Sequence, residues 1–236
     1  CLSESYRFLM LRSGSVTSQI AKQEMAAEAT PVSGGVVQGL KNLFSPDLRA
    51  PTTLLWLLYF FSMFTTYMIT TWLPTLLTLT GWTAGDASQG ITAFSIGGVF
   101  GGLFLGWLVD RDKTRGSLIL GFGSTAIAVG LILVVPGLVP IWLALISVIG
   151  AGTVGVSYAL AAVAAQIYPT KIRAGGIGTA AAAGRVGATL APVIGGILLA
   201  TGFSAVQIFA SLIVPMIIAL IIVQLFSRKL NLAKVN

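Results

Sequence analysis

The chain has 236 residues, of which 56% are hydrophobic and only 9% are charged. A water-soluble domain carries roughly 25% charged residues, so a soluble globular protein is excluded and we expect most of this chain to lie in lipid. The chain contains no histidine and a single cysteine, which excludes an internal disulfide and a Cys/His zinc site. No metal ion and no cofactor are expected.

The first 48 residues are interpreted as a cytoplasmic loop. Residues 13–35 are small and polar, which is typical of a flexible connector. The stretch VVQGLKNLFSPDLR then spaces four apolar residues as a short helix does, at Val37, Leu40, Leu43 and Phe44. This helix either lies on the membrane surface or packs on the protein, and the sequence does not decide between the two. Because the chain begins at Cys1 without a signal-like segment, we expect the C-terminal part of a longer protein, or a processed start.

Residues 49–236 are predicted to form a bundle of six transmembrane helices, which makes the fold all-α. A helix crosses the lipid core with about 20 apolar residues. Six segments meet this requirement: Thr52–Leu79, Gln89–Val109, Ser117–Val135, Ile141–Ile167, Ile177–Ala200 and Val206–Phe226. Short polar or Pro/Gly-containing turns separate them.

The basic residues indicate how the bundle lies in the membrane. Of the 14 lysines and arginines, all but one lie before the first span, after the second, after the fourth or after the sixth, and the other three loops have none. Basic residues mark cytoplasmic loops, so both ends of this segment are predicted to be cytoplasmic. The net charge of +7 then reflects the orientation of the spans in the membrane and does not indicate nucleic-acid binding.

Glycines recur at helical spacing in several spans. GAGTVG, at Gly150–Gly155, matches the dinucleotide pattern G-x-G-x-x-G, but it lies inside an apolar run, whereas that pattern needs a strand before it. We interpret it as a small-residue surface that lets two membrane helices approach closely. The second span carries the same kind of surface and is predicted to pack tightly against another span. Its glycines are Gly97, Gly98, Gly101, Gly102 and Gly106.

The loop after the second span carries the most specific motif. GWLVDRDKTR resembles the G-x-x-x-D-R-x-G-R-R loop of the major facilitator superfamily, with matches at Gly106, Asp110, Arg111 and Arg115. Lys113 replaces the loop glycine of that pattern. A simple positive-inside turn would explain the basic residues but not the glycine–aspartate spacing. The resemblance implies a cytoplasmic loop whose charge contacts hold one conformation and loosen during transport.

Further stretches extend the resemblance over nearly the whole chain. ESYRFL, at Glu4–Leu9, resembles the segment after the sixth span of many facilitators, and YPTKIRAGGIG, at Tyr168–Gly178, resembles the loop before their eleventh span. With LLWLLYFFSMFTTYMITTWLP and GRVGATLAP, the nearest match is to the aromatic acid:proton symporters. The resemblance implies that the six spans are the C-terminal half of a twelve-span transporter, built as two three-helix inverted repeats. The first-span aspartates that this family links to proton coupling have no counterpart here.

One basic residue, Arg185, lies inside a span. A charged residue near mid-membrane costs roughly 2.5–3.5 kcal/mol on insertion scales, so we expect Arg185 to face a cavity, where its planar guanidinium suits a carboxylate. At about 100° per residue, the small residues of this span form a separate packing stripe. They are Gly176, Ala180, Gly184, Gly187, Ala191 and Gly195. The alternatives are that Arg185 pairs with an acid in a missing half, or that its role is purely structural.

Polar residues on two other spans could complete a cavity. Tyr59, Ser62, Thr66 and Thr70 share one side of the first span, and Ser157 and Tyr158 lie on the fourth. Serine and threonine in membrane helices often only bond their own backbone, so each is weak evidence alone. The predicted substrate-binding residues are Arg185, Tyr59, Thr66, Thr70 and Tyr158.

Taken with the resemblance, the sequence predicts half of a secondary transporter that moves small organic anions, in particular aromatic carboxylates, by proton-coupled alternating access. Its expected partners are the lipid bilayer, the anion, protons and the missing N-terminal six-span half, in a bacterial inner membrane. The alternative is a self-contained six-span channel or scaffold that acts as a homodimer. An intramembrane enzyme is not expected, because the spans offer no nucleophile–base pair and no metal ligands.

Overall fold

The computed structural model describes residues 43–46 and 48–233. The regular structure of this part of the chain is helical: α1 Arg49–Leu79, α2 Ala84–Asp110, α3 Thr114–Ile132, α4 Val139–Ile167, α5 Thr170–Ala200, α6 Ala205–Ser211 and α7 Ile213–Ala233. Six helical spans are long and apolar enough to cross a membrane, and α6 and α7 share the last of them, Ala205–Arg228. The prediction of an all-α fold with six spans is confirmed.

Several predicted boundaries were wrong by three residues or more. Helix α5 begins at Thr170 rather than Ile177, α2 at Ala84 rather than Gln89, and α1 at Arg49 rather than Thr52. Helix α3 runs from Thr114 to Ile132 rather than from Ser117 to Val135, and α7 ends at Ala233 rather than Phe226. Apolar length does not detect the polar turns with which a helix begins outside the lipid core. The side-chain oxygen of Thr83 caps α2 by accepting a hydrogen bond from the Asp86 backbone N–H. Most of the predicted loop before the fifth span is therefore the first turns of α5.

The helices associate as two parallel pairs. Helix α2 packs most extensively against α4, and α1 packs next most extensively against α5. In both pairs the contacting residues advance together along the two helices, so the paired helices run in the same direction. Exchanging α1 with α4 and α2 with α5 converts one pair into the other, as expected for two three-helix repeats in one bundle.

Helices α2 and α4 touch backbone to backbone. A Cβ atom added at Gly97 would overlap the Ser147 backbone, and one added at Gly150 would overlap the Phe94 carbonyl. A Cβ atom at Gly155 would lie 2.8 Å from the Gly101 carbonyl carbon. The predicted tight packing of the second span is confirmed, and the GAGTVG stretch serves helix contact. Gly106 is the exception among the predicted contact glycines, because a Cβ atom added there would meet nothing within 4 Å.

Helices α1 and α5 meet along the small-residue stripe that the sequence predicts. A Cβ atom at Gly184 would lie 2.9 Å from Met63 Cγ and 3.4 Å from the Tyr59 carbonyl oxygen. A Cβ atom at Gly187 would overlap the Phe60 carbonyl oxygen, one helical turn further along. This contact fixes which side of α5 faces α1, and thereby which side stays uncovered.

The residues just before α1 pack on the bundle. Leu43 is only 1% exposed and belongs to the hydrophobic core. The Phe44 ring meets the Trp56 ring edge-on, with centroids 5.4 Å apart. Packing on the protein, one of the two alternatives for this stretch, therefore holds for Leu43 and Phe44. The connector, Val37, Leu40 and the ESYRFL stretch of the predicted loop lie outside the described residues.

Candidate functional site

Arg185 lies on a face of α5 that the described part of the chain leaves uncovered. Its neighbours on that face are exposed and small or polar: Gly178, Ala181, Ala182 and Thr189. The exposed side chains further round the helix are large and aliphatic: Val186, Leu190, Val193 and Ile197. An arginine among small residues has room for a ligand or water beside it, whereas the aliphatic side suits lipid or another apolar surface. The uncovered part of α5 therefore has two chemically distinct sides.

A stripe of hydroxyl side chains runs along the uncovered face of α1 towards the end of that helix, at Tyr67, Thr70, Thr71, Thr75 and Thr78. Thr70 donates to the Thr66 carbonyl and Thr78 to the Thr75 carbonyl. In the described part of the chain, the hydroxyls of Thr71 and Thr75 make no hydrogen bond to another protein atom. Most of this stripe was missed from the sequence, although the spacing of Tyr67, Thr71 and Thr75 carried the signal.

Aromatic side chains of α1 lie at the level of the arginine. The backbone of Phe60 and Phe64 contacts Gly187, two residues beyond Arg185. The two rings stack with centroids 6.2 Å apart and planes 16° apart, and both are partly exposed. Arg185 and the two rings therefore lie at the same level of adjacent helices, with Gly187, which contacts α1, about 200° around α5 from Arg185. A guanidinium can pair with the charge of a planar anion, and an aromatic ring can stack on its apolar part.

The predicted site residues fall into different environments. Thr70 is exposed on α1, while Thr66 is half-buried and donates to the Ser62 carbonyl at 2.9 Å. Tyr59 is only 4% exposed and packs in the core, away from the uncovered face. Tyr158 is 61% exposed and its ring lies over Gly102 of α2. The α1–α5 pair therefore carries Arg185, Thr66 and Thr70, and Tyr158 belongs to the α2–α4 pair.

Hydroxyl groups also join the two helix pairs inside the bundle. The Ser62 and Ser157 Oγ atoms are 3.0 Å apart, and Ser62 donates to the Thr153 carbonyl at 3.4 Å. Ser62 is buried on α1, and Thr153 and Ser157 lie on α4. These contacts supply a polar bridge between α1 and α4 at a level where most neighbours are apolar.

The turn between α2 and α3 carries the charged motif. Asp110, Arg111 and Arg115 are exposed, and the Arg111 guanidinium lies 4.0 Å from the centre of the Trp107 ring. Arg115 donates to Gln224 Oε1 at 2.6 Å, which ties the turn to the last span. In the described part of the chain no three His, Cys, Asp or Glu residues lie close enough to hold a metal ion. We assign no residue to a cofactor.

The backbone explains how this turn departs from the family pattern. Asp112 has a positive φ of 59° and occupies the left-handed position that ends α2, where glycine is usual. Lys113, at the position of the pattern's glycine, has an ordinary φ of −94°. A lysine there causes no backbone strain, and the residue with the strained backbone is Asp112 instead.

Tyr168 joins the start of α5 to the start of α1. Its hydroxyl donates to Thr52 Oγ1 at 3.3 Å, and Thr52 donates in turn to the Leu43 carbonyl at 3.2 Å. Its ring lies against Gly176, and Arg173 Nε donates to its carbonyl at 3.2 Å. Burial raises the pKa of the Tyr168 phenol above its ordinary value, and the hydrogen bond with Thr52 partly opposes this. These contacts explain the spacing of tyrosine, arginine and glycine in the YPTKIRAGG stretch.

Comparison with known proteins adds independent evidence. Residues 55–233 match the model of the Major Facilitator Superfamily. The chain is 33% identical over 231 residues to the 4-hydroxybenzoate transporter PcaK of Acinetobacter baylyi, covering 91% of this chain and 50% of that protein. It is 36% identical over 175 residues to the 3-(3-hydroxy-phenyl)propionate transporter of Escherichia coli, covering 73% and 42% respectively. It is 29% identical to the gallate transporter of Pseudomonas putida, covering 91% and 50%. The chain spans about half the length of these relatives, and it belongs to the major facilitator superfamily of integral membrane proteins.

Proposed function

We propose that this chain forms one six-span half of a transporter that moves small aromatic carboxylates together with protons by alternating access. The proposal is supported by the family and by the relatives, whose names describe transporters of hydroxylated aromatic acids. Because those relatives are about twice as long, the other wall of the substrate site is assigned to a second, N-terminal six-span half. The family is one of transporters, which supports the expectation that the protein is not an enzyme.

The observation that carries the proposal is Arg185. Among the lysines and arginines of the chain it alone lies within the apolar part of a span, and it is exposed beside small residues rather than packed against α1. A carboxylate can accept two parallel hydrogen bonds from its guanidinium. The partly exposed Phe60 and Phe64 rings offer an apolar surface to the aromatic ring of the substrate.

The hydroxyl stripe of α1 would then recognise the substituents on the aromatic ring of the substrate by hydrogen bonding. Tyr67 and Thr70 are the stripe residues closest along α1 to the level of Arg185, and both are exposed. A ring hydroxyl can donate to or accept from either side chain. We assign Tyr158 of α4 to the same recognition, from the other side of the site.

The orientation and the proton step follow from the distribution of charge. Because the basic residues outside Arg185 lie in alternate loops and the two ends, we place both ends of this segment in the cytoplasm of a bacterial inner membrane. The seven acidic residues of the chain all lie outside the middle of its spans. We therefore assign the proton-carrying carboxylate to the other half.

The test compares an acid with its neutral amide in the intact transporter. Wild type should bind benzoate in clear preference to benzamide. Arg185→Lys keeps the charge but loses the bidentate geometry, so binding should weaken substantially. Arg185→Ala should lose more, on the order of 2–5 kcal/mol if the substrate carboxylate is left unpaired. Membrane insertion should survive both changes, because a mid-span charge disfavours insertion.

Val186→Ala is the matched control, because Val186 is the exposed neighbour of Arg185 on the aliphatic side of α5. It should leave the preference for the acid unchanged. If Arg185→Ala keeps the full preference, the arginine pairs with an acid of the other half and the substrate charge is read elsewhere. A six-span homodimer that binds benzoate without any further chain would replace the two-half arrangement.

A further inference from the structure

The two parallel helices α1 and α5 each contain a proline in their C-terminal part. Pro74 lies in α1 and Pro192 in α5. Proline has no backbone N–H, so the carbonyls of Thr70 and Ala188, four residues earlier, lack their usual helical donor. Helices bend most readily at such positions. Both members of this pair therefore have a weak point in their last turns.

Trp72 of α1 links the two helices next to their prolines. Its indole Nε1 donates to the Pro192 carbonyl oxygen at 3.2 Å. Its ring lies on α5 at two adjacent glycines. A Cβ atom at Gly195 would overlap the indole, whereas one at Gly196 would lie 3.4 Å from ring atom Cζ2. Trp72 precedes Pro74 by two residues, so one side chain spans from the bend of one helix to the bend of the other.

We propose that Trp72 is a positioning residue that makes residues 72–79 of α1, beyond the undonated Thr70 carbonyl, and residues 192–200 of α5 move as one unit. The proposal rests on the alternating-access function proposed above, because that function requires the outer ends of these helices to move. Two helices with independent weak points would bend independently. The hydrogen bond and the seated ring link them at the same depth, so a bend in one carries the other with it.

The inner parts of the two helices stay together for a different reason. Gly184 and Gly187 hold α5 in close contact with α1 on either side of Arg185. Arg185 precedes Pro192 by seven residues, about two helical turns. The outer unit can therefore close over the site while the guanidinium keeps its position relative to Phe60 and Phe64.

The experiment measures the distance between the outer ends of the two helices. Spin labels are attached at Thr78→Cys and Ala200→Cys, both exposed, in the full-length transporter without other cysteines. Wild type should give one narrow distance distribution that benzoate does not shift. Trp72→Phe, which keeps a ring but loses the N–H, should broaden the distribution. It should also slow uptake of benzoate roughly fivefold, which is the effect expected for one lost hydrogen bond.

Gly195→Ala and Gly196→Ala form a matched pair. Gly195→Ala displaces the indole and should reproduce the broadening seen with Trp72→Phe. Gly196→Ala adds the same methyl group one residue later and should leave both the distribution and the uptake rate within about twofold of wild type, since its Cβ reaches only the edge of the ring.

A narrow distribution in Trp72→Phe, or a shift of the wild-type distance on adding benzoate, would overturn the proposal. The measurement without ligand does not depend on which substrate is bound. Loss of carboxylate binding with an intact narrow distribution would therefore contradict the proposed function while leaving the role of Trp72 in place.

Discussion

The α1–α5 pair and the α2–α4 pair solve the same packing problem and differ in what they leave uncovered. Both pairs run parallel and bring backbones into contact through glycine. The uncovered face of α2 carries large apolar side chains: Ile96, Val99, Phe100, Leu103 and Phe104. The uncovered faces of α1 and α5 carry hydroxyls, small residues and Arg185, with large aliphatic side chains such as Val186 and Ile197 on the other side of α5. Within one repeated architecture, glycine spacing determines how the helices associate, and the opposite faces determine where a polar ligand can bind.

The largest effect on stability is expected from breaking the α2–α4 contact. Gly97→Ala places a methyl group in the Ser147 backbone, and overpacking of this kind costs about 1–3 kcal/mol. The variant should lose thermal stability in detergent, measured by aggregation on heating. Gly123→Ala is the control, because nothing lies within 4 Å of its added Cβ atom. Equal stability of the two variants would mean that α2 and α4 do not touch as closely as described.

A smaller effect, on substrate preference, should show that the α1–α5 pair contributes more to substrate recognition than the α2–α4 pair. Tyr67→Phe removes an exposed hydroxyl from the α1 stripe and should reduce the preference for 4-hydroxybenzoate over benzoate about fivefold, the usual effect of one hydrogen bond. Tyr158→Phe makes the same change on the α2–α4 pair, and we expect a smaller loss. The measurement is competition between the two acids in uptake by the full-length transporter. A larger loss of preference in Tyr158→Phe than in Tyr67→Phe would mean that α4, and not α1, recognises the hydroxyl group of the substrate.

The smallest effect concerns the turn between α2 and α3. Asp112→Gly removes the side chain from a residue with a φ of 59° and should raise stability by about 0.5–1 kcal/mol. Lys113→Gly should bring no such gain, since Lys113 has a φ of −94°. Thermal unfolding of the two variants side by side checks the prediction. A gain in Lys113→Gly alone would place the left-handed residue one position later.

The sequence allowed the spans and the packing stripes to be predicted, because apolar length and glycine spacing are local properties. It did not reveal what covers each face. Tyr59 and Thr66 share a side of α1 on a helical wheel, yet Tyr59 is buried in the core. A wheel gives relative angles but not the direction of the neighbouring helix. The start of α5 was missed because Lys171 and Arg173 make a helical turn look like a loop.

The long-range tie between α1 and α5 was equally invisible in the sequence. Trp72 and Pro192 are separated by 120 residues, and neither has an unusual neighbour in the sequence that marks a contact. Only the depth at which the two parallel helices meet brings the indole to that carbonyl. Contacts of this kind depend on the register of two helices, which no local pattern specifies.

The most direct test of the anion site is protection of a cysteine beside Arg185. Thr189→Cys lies one turn further along the same exposed face of α5, and Val99→Cys lies on the apolar face of α2. In the full-length transporter, benzoate should slow alkylation of Thr189→Cys several-fold, benzamide should not, and Val99→Cys should react equally fast with either. Adding Arg185→Ala should abolish the protection of Thr189→Cys. Protection by benzoate that persists without Arg185, or protection by benzamide as strong as that by benzoate, would contradict the assignment of the substrate's charge to this arginine.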